Sequence, residues 1–538
     1  MAISTSPEVE QQAPVADSQE TQPGRLARCR QQLVQALLYP TDIAMLVYFR
    51  VIFGAIMAWE AWRYVVPRGP EGVSWVQTQY IFPTFHFTYY GFSWVKPWAG
   101  QGMYWHMYAL GALAACITVG FCYRAATTLF FLGFTYFFLL DQVNYLNHFY
   151  MICLVSFLLI FLPANRAYSV DAWWKQSLRS QVAPAWTLWL LRFQIGIVYF
   201  YGGIAKLNAD WFAGEPMRTF LYTRPADWTL VQWFGNEWGV QFFSWGGLLL
   251  DLLIVPALMW KRTRVLAFIA AVSFHCLNNI MFQIGIFPWF MMAASLLFFP
   301  TEWLREKKPQ ELVDAENAGP LPLTGRRKLT LSLLGVYVAF QLLVPLRHFL
   351  YPGNVSWTEE GHRFAWHMKL RVKETSVVFY AFDENQQAIP LGDNPQQFLR
   401  RHLNDRQIRA MASKPDLTLQ FAHYLMDDLA KNGYPNATVR AEINASLNGR
   451  PYQPLIKPEV DLGRQKRNLW HASWITPLTT PMPPPSQRRR PPTAAGSGMP
   501  TEDDLPRAPL PAPGNGTGGG VPAGGALSAP AADEPPGE

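Results

Sequence analysis

The chain has 538 residues, of which 50% are hydrophobic, 15% aromatic and only 15% charged, with a net charge of +7. So apolar and aromatic a composition excludes a disordered polymer and points to a membrane protein, because amphipathic rings settle at the headgroup level of a bilayer. The positive surplus lies mostly in short loops between apolar runs, so no nucleic-acid partner is read from it.

Residues 1–24 are polar, lack the apolar core of a signal peptide, and are expected to be disordered, which leaves the first span as the membrane signal. Residues 25–350 are expected to form a multi-pass α-helical bundle. Its apolar runs are Ile43–Val66, Met103–Phe121, Ala125–Leu140, Val143–Leu162, Leu188–Ala205, Phe242–Trp260, Val265–Ile280, Ile284–Phe299 and Leu329–Leu346. Roughly 20 apolar residues cross a bilayer, so about nine spans are expected, the short runs lying inside the bundle. In residues 351–477 the texture changes. Thr375–Phe382 and Ala437–Ile443 have the β-branched, alternating character of strands, and Gln396–Leu403 and Leu417–Lys431 that of amphipathic helices, which predicts a small extramembrane α+β domain. Residues 478–538, rich in Pro, Gly and Ala, are expected to be a disordered tail.

Lys and Arg in short loops set the orientation. With the N-terminus in the cytoplasm, every inside connection is basic: Arg124; Arg166, Lys175 and Arg179; Lys261, Arg262 and Arg264; and the group from Arg305 to Lys328. The outside connections at Asp141–Asn147 and Gln283 carry almost no Lys or Arg, and only the longer outside loops Val65–Gly102 and Lys206–Gln241 carry a few. This predicts residues 351–538 on the outer face of a bacterial inner membrane or a eukaryotic endomembrane. The cysteines, Cys29, Cys116, Cys122, Cys153 and Cys276, make no metal-ligand spacing, and none lies in the outer domain.

Polar residues gather at the ends of the apolar runs that this topology places on one level. They are Asn147 and His148, Lys206, the group His275, Asn278 and Asn279, and the pair Arg347 and His348. Ionisable groups at membrane depth are costly and mark function by default. Lys206 closes a helix that contains Gly202 and Gly203, and such glycines admit another helix or a flat ligand close to the backbone. It is either a lysine snorkelling to the interface, or a partly desolvated amine made neutral and basic by burial among Tyr199, Tyr201 and the glycines. Asp141, Asn144, Asn147 and His148 are either capping groups of a hairpin loop or part of a site; capping accounts for Asn144 better than for the pair that follows. His275 and Asn279 share a helix face, with no third ligand that would make a metal site. Arg347 also complements a helix dipole. Glu360–Arg371 alternates as a strand with Arg363, Ala365, His367, Lys369 and Arg371 on one face, open to an acidic peptide, to headgroups or simply to solvent. Asn354, Asn436 and Asn444 begin glycosylation sequons by pattern.

Together these segments resemble the vitamin K-dependent γ-glutamyl carboxylase family. The resemblance is carried by Leu139–Asp141 with Asn147 and His148, by Gly203–Trp211, Trp245–Asp251, Phe274–Asn279, His348–Leu350 and Trp357–Trp366, in the same order, over about Pro40 to Pro477. It implies that reduced vitamin K, a hydroquinone or menaquinol, is deprotonated and reacts with O2 to an epoxide. The strong base so generated takes the γ-proton of a peptide glutamate, and the carbanion adds CO2. By the same resemblance Lys206 is the base toward the hydroquinone, His148 assists carboxylation, and Asn147 positions the quinone oxygen. His275, Asn279, His348 and Tyr201 are further site residues. The implied partners are a Glu-containing protein, the lipid bilayer and a quinone reductase; no metal is expected. The animal enzymes join their two portions by a disulfide, which a cysteine-free outer domain does not allow. The alternatives are a quinol-dependent oxygenase that carboxylates no protein, and a membrane receptor whose outer domain binds a peptide; a receptor would not need Lys206.

Overall fold

The computed structural model describes residues 24–484, apart from 226, 227, 306, 318 and 393, together with 487 and 488. Each apolar run named above contains a helix that fills most of it. The helices are α1 (Ala44–Val65), α2 (Gly102–Val119), α3 (Tyr123–Leu139), α4 (Asn147–Phe161), α5 (Ala185–Ala205), α6 (Glu237–Met259), α7 (Arg264–Phe282), α8 (Phe287–Ser295) and α9 (Gly325–Leu343). Six of them, α1, α2, α5, α6, α7 and α9 with its 3-10 extension to Leu350, are long and apolar enough to cross a membrane. The other three are shorter. α4 is buried along most of its 15 residues, so it contributes to the bundle's interior as well as to its height. Among the described residues spanning length is thus reached by six helices, against the expected count of about nine.

Glycine sets the closest helix approach. A Cβ on Gly54 of α1 would lie 2.6 Å from the Ala114 carbonyl oxygen of α2, so only glycine lets these helices meet there. α2 then stops at Gly120, whose φ of 68° no larger side chain adopts readily.

The outer domain carries a four-stranded antiparallel sheet of order β2-β1-β3-β4, formed by β1 (Lys373–Phe382), β2 (Ala388–Ile389), β3 (Thr438–Leu447) and β4 (Gln453–Pro454). β1 and β3 pair along their full length, from Lys373 opposite Leu447 to Phe382 opposite Thr438. Their buried residues, among them Phe379, Ala441 and Ile443, share a core with Phe398 of α10 (Pro395–His402), Met411 of α11 (Asp405–Ser413) and Phe421 and Leu425 of α12 (Pro415–Lys431). The strands expected at Thr375–Phe382 and Ala437–Ile443 and the helices expected at Gln396–Leu403 and Leu417–Lys431 are present.

Glu360–Arg371 corrects an expectation: it is an irregular segment, not a strand. Gly361, Phe364, Trp366 and Lys369 all have positive φ, which breaks the extended alternation. Burial outweighs that local strain, since Ala365, Trp366 and His367 are all buried.

All five cysteines are free. The two portions are joined instead by polar contacts. Asp210, after α5, accepts both guanidinium nitrogens of Arg450 at 2.6 and 2.7 Å and the amide of Asn448 at 2.8 Å. Asp141 accepts from Gln407 at 3.0 Å, and Gln142 from Gln420 at 3.1 Å. The outer domain also continues past Pro477: the backbone amides of Thr479 and Thr480 both donate to Gln453, and Arg488 donates to the Ala213 carbonyl. Apart from residues 24, 478–484, 487 and 488, the tails expected to be disordered lie outside the described residues.

Candidate active site

Lys206 follows the last helical residue of α5, and its side chain turns back into the protein. Nζ donates to the Gly202 carbonyl at 3.1 Å and to Oδ2 of Asp251 on α6 at 2.6 Å, with both side chains buried. The Trp211 ring lies 5.2 Å from Nζ and is itself fixed by its indole N–H, which donates to the Ser244 carbonyl. The glycine pair makes this possible. A Cβ on Gly203 would stand 2.6 Å from Leu252 Cδ2 and 3.2 Å from its backbone nitrogen, and one on Gly202 would stand 3.1 Å from both Asp251 Oδ2 and Met368 Cε. The amine that the sequence suggested as a lone desolvated base is therefore one half of a buried ion pair. Asp251 is not among the site residues expected from the sequence, although an acid in the middle of an apolar helix is itself a signal.

A second group surrounds Phe287. Its ring centroid lies 5.7 Å from that of His148 and 5.9 Å from that of His275. His275 Nε2 is 2.6 Å from the Tyr199 hydroxyl, which ties it to the helix that delivers Lys206, while the buried Nδ1 of His275 has no hydrogen-bond partner among the described residues. Tyr201 points elsewhere, donating to the Leu342 carbonyl of α9. Asn279 is half-buried near the end of α7, where its carbonyl accepts from Gln283.

Residues 362–369 connect these groups. The Asn147 amide donates to the His367 carbonyl at 2.9 Å and its oxygen accepts from the Tyr145 hydroxyl, which in turn accepts from the Phe364 backbone. The ring of His367 lies 4.8 Å from that of His348 and 5.1 Å from that of His362. Next in the chain, Met368 lies over Gly202, and Lys369 sits 4.9 Å from the Phe282 ring at the end of α7. One irregular segment thus touches the Asn147 and His348 group, the Lys206 helix and α7. Alternation concealed this, because a strand would have turned half of these side chains away.

Electrostatics anchor the segment from behind. Glu359 accepts two bonds from Arg371, at 2.6 and 2.7 Å, and one from Lys373 at 3.0 Å. Burial opposes the Glu359 carboxylate, but Arg371 and Lys373 outweigh it and hold its pKa well below the usual value. Burial pushes Lys373 down to about 8, and burial together with the neighbouring His348 pushes His367 down to about 3. His367 is therefore neutral at physiological pH. Among the described residues no group of His, Cys, Asp or Glu is arranged to hold a metal ion.

The chain matches the HTTM domain model over residues 38–303 and the vitamin K-dependent gamma-carboxylase lumenal domain model over residues 326–481. No solved structure matches it. Together the two matched regions cover most of the membrane bundle and of the outer domain, with Lys206 and Asp251 both inside the first, and the chain belongs to the vitamin K-dependent γ-glutamyl carboxylase family.

Proposed function

We propose that this protein uses reduced vitamin K to carboxylate glutamate residues of a protein substrate to γ-carboxyglutamate, forming the quinone epoxide in the same cycle. The observation that carries the reading is the buried Lys206–Asp251 pair beneath Gly202 and Gly203, in a chain with both regions of the family. A flat, lipid-soluble quinol suits the surroundings: the unpartnered Nδ1 of His275 is available as a polar contact among the aromatic walls of Tyr199, Phe274 and Phe287. When bound, reduced vitamin K with O2 supplies the oxidation that drives removal of the glutamate γ-proton. CO2 is the carbon source, and a quinone reductase returns the quinol.

Lys206 is the base toward the hydroquinone. At rest the pair holds one proton between an amine and a carboxylate, so it accepts a second when Lys206 passes its own proton to Asp251 and takes the substrate's. The positive charge then faces the anion it has created. His148 serves the carboxylation half, where its imidazole orients the glutamate as the carbanion adds CO2. Asn147 and His348 hold residues 362–369 against the bundle. The topology that fits this chemistry has a cytoplasmic N-terminus and the outer domain on the far face, where a peptide meets a site that a quinol reaches from the bilayer.

The test is to incubate purified protein with vitamin K hydroquinone, bicarbonate and a Glu peptide, and to measure epoxide and carboxylated peptide separately. Both products are expected. Epoxide without carboxylated peptide, across varied Glu substrates, would replace the reading with a quinol-dependent oxygenase; neither product would remove both.

A further inference from the structure

A further helix, Arg25–Leu38, precedes the first span and carries Arg25, Arg28 and Arg30 with no acidic residue. At helical spacing Leu26, Leu33 and Leu37 share one face, and Arg25 and Arg30 flank it on either side. The helix is fixed to the basic end of the bundle by a different face, where Leu38 is buried and Val34 and Gln35 are half-buried. The Gln35 amide donates to the Leu321 carbonyl and its oxygen accepts from the Leu321 backbone, both at 2.9 Å. Just beyond the helix, Pro40–Asp42 pairs with Val182–Pro184, and the Ala185 backbone donates to the Tyr39 carbonyl at 2.8 Å. Its last turn is thus held where α1 and α5 begin. That attachment leaves the leucine face uncovered: Leu26 is 88% exposed and Leu33 61%, as much as Leu266 and Leu329 on the outside of the spans. Arg25, Arg28 and Arg30 are exposed and form no ion pair among the described residues. The connections at this end also expose Tyr168, Trp173, Trp174, Trp260 and Trp303, rings of the kind that settle at headgroup level.

We infer that the helix Arg25–Leu38 lies in the headgroup layer as an interfacial anchor, with Leu26, Leu33 and Leu37 toward the acyl chains and its arginines on anionic phospholipid headgroups. Position and charge decide the occupant. Residues 39–43 are all that separate the helix from α1, and the ladder at Pro40–Asp42 holds them, so its last turn stays at the surface of the bilayer that α1 enters. A leucine stripe flanked by arginines fits that layer, because the leucines reach the acyl boundary while the arginine stems carry their guanidinium groups back to the phosphates. Three cations without an acid favour anionic over zwitterionic headgroups, by about fivefold for each arginine close to such a surface. The anchor is independent of the chemistry proposed for Lys206.

The experiment places a bimane label on the full-length protein in lipid nanodiscs, at Leu33→Cys on the stripe or at Gln31→Cys on the other side of the helix. Cys29, Cys116, Cys122 and Cys276 are changed to alanine, and the buried Cys153 is kept. Quenching by a small amount of doxyl-labelled phosphatidylglycerol is compared with quenching by the same amount of doxyl-labelled phosphatidylcholine. The label at 33 should be quenched more than the label at 31, and about 3- to 10-fold more by the anionic lipid. Changing Arg25, Arg28 and Arg30 together to glutamine should bring that excess toward one, and so should raised salt. The inference is overturned if the two positions are quenched alike, or if the anionic excess is missing in the arginine-bearing protein or survives the triple substitution. It is also overturned if neither lipid nor aqueous iodide reaches position 33, which would put a protein there, a second copy included. A second measurement needs no label: short-chain phosphatidylglycerol should raise the melting temperature of the unaltered protein more than short-chain phosphatidylcholine does, and the triple variant should lose that advantage. An equal advantage in both proteins would also overturn the anchor.

Discussion

Asp251→Asn is the most direct perturbation of the site. Lys206 Nζ stands 2.6 Å from Asp251 Oδ2, and both side chains are buried. Asparagine keeps the shape and a polar contact but removes the negative charge. Deleting one partner of a buried ion pair costs roughly 3–5 kcal/mol, because the other is left uncompensated. If Asp251 must take up the proton of Lys206 before the amine can take the hydroquinone's, asparagine cannot do so, and a cost of the same order enters the barrier. At about 1.4 kcal/mol per factor of ten, epoxide formation should slow by roughly 140- to 3,700-fold. The assay is the initial rate of epoxide formation in detergent for Asp251→Asn, Lys206→Met and the double variant. The losses should not add, and the double variant should be no slower than Lys206→Met alone. It should also be more stable than Lys206→Met, which leaves a buried carboxylate unpaired. An Asp251→Asn rate within about threefold of wild type, or additive losses, would refute the shared-proton reasoning.

Four further outcomes are expected. His148→Ala should lower carboxylation more than epoxidation, so the product ratio changes; equal losses would mean that His148 only holds the site together. Above its unfolded value near 4.5, the depressed Glu359 carboxylate contributes stability that is lost as pH falls through the folded value, so the melting temperature should hold above about pH 5 and decline below it. Glu359→Gln should melt lower at pH 7, with a flatter acid limb, and an unchanged acid limb would count against the Arg371–Lys373 cluster as its cause. Deleting residues 489–538 should leave folding and epoxidation intact, whereas deletion from Leu478 should destabilise by about 1–3 kcal/mol by removing the Thr479 and Thr480 donors to Gln453; equal stability of the two truncations would contradict this. Cysteine introduced at Ser356 should react with an impermeant reagent in intact cells and at Ser177 should not, and the opposite pattern would invert the topology.

Helices were legible because each rests on a long apolar run, and the strand pair because β-branched residues alternate between turn signals. The irregular segment was not. His362–Lys369 alternates like a strand, and nothing local announces that Phe364, Trp366 and Lys369 adopt positive φ. Those conformations are imposed by tertiary contacts, the Tyr145 hydroxyl on Phe364 and Asn147 on the His367 carbonyl, which join residues over 200 positions apart. The site was half legible for the same reason. Lys206, His148 and His275 stand out as polar groups at the ends of apolar runs, but that Asp251 meets Lys206 depends on the close approach of α5 and α6 at Gly203. The sequence shows the glycines and does not show which helix they admit.

The joint between the two portions bears on how such a site is kept in shape. Animal members of the family fasten it with a disulfide; here Asp210 holds Arg450 and Asn448, and Asp141 holds Gln407. A disulfide would fix the distance between the portions whether or not the interface were well packed. Hydrogen bonds between buried or half-buried partners fix it only while those partners stay dry and aligned. Met368 rests on Gly202 beside Asp251, and the His367 carbonyl takes the Asn147 amide, so the same alignment sets both the Lys206 pocket and the His348 side of the junction. In the proposed cycle this one irregular segment lies against both the Lys206 pair and the Asn147 and His348 group, so loosening the joint between bundle and outer domain should lower both half-reactions together.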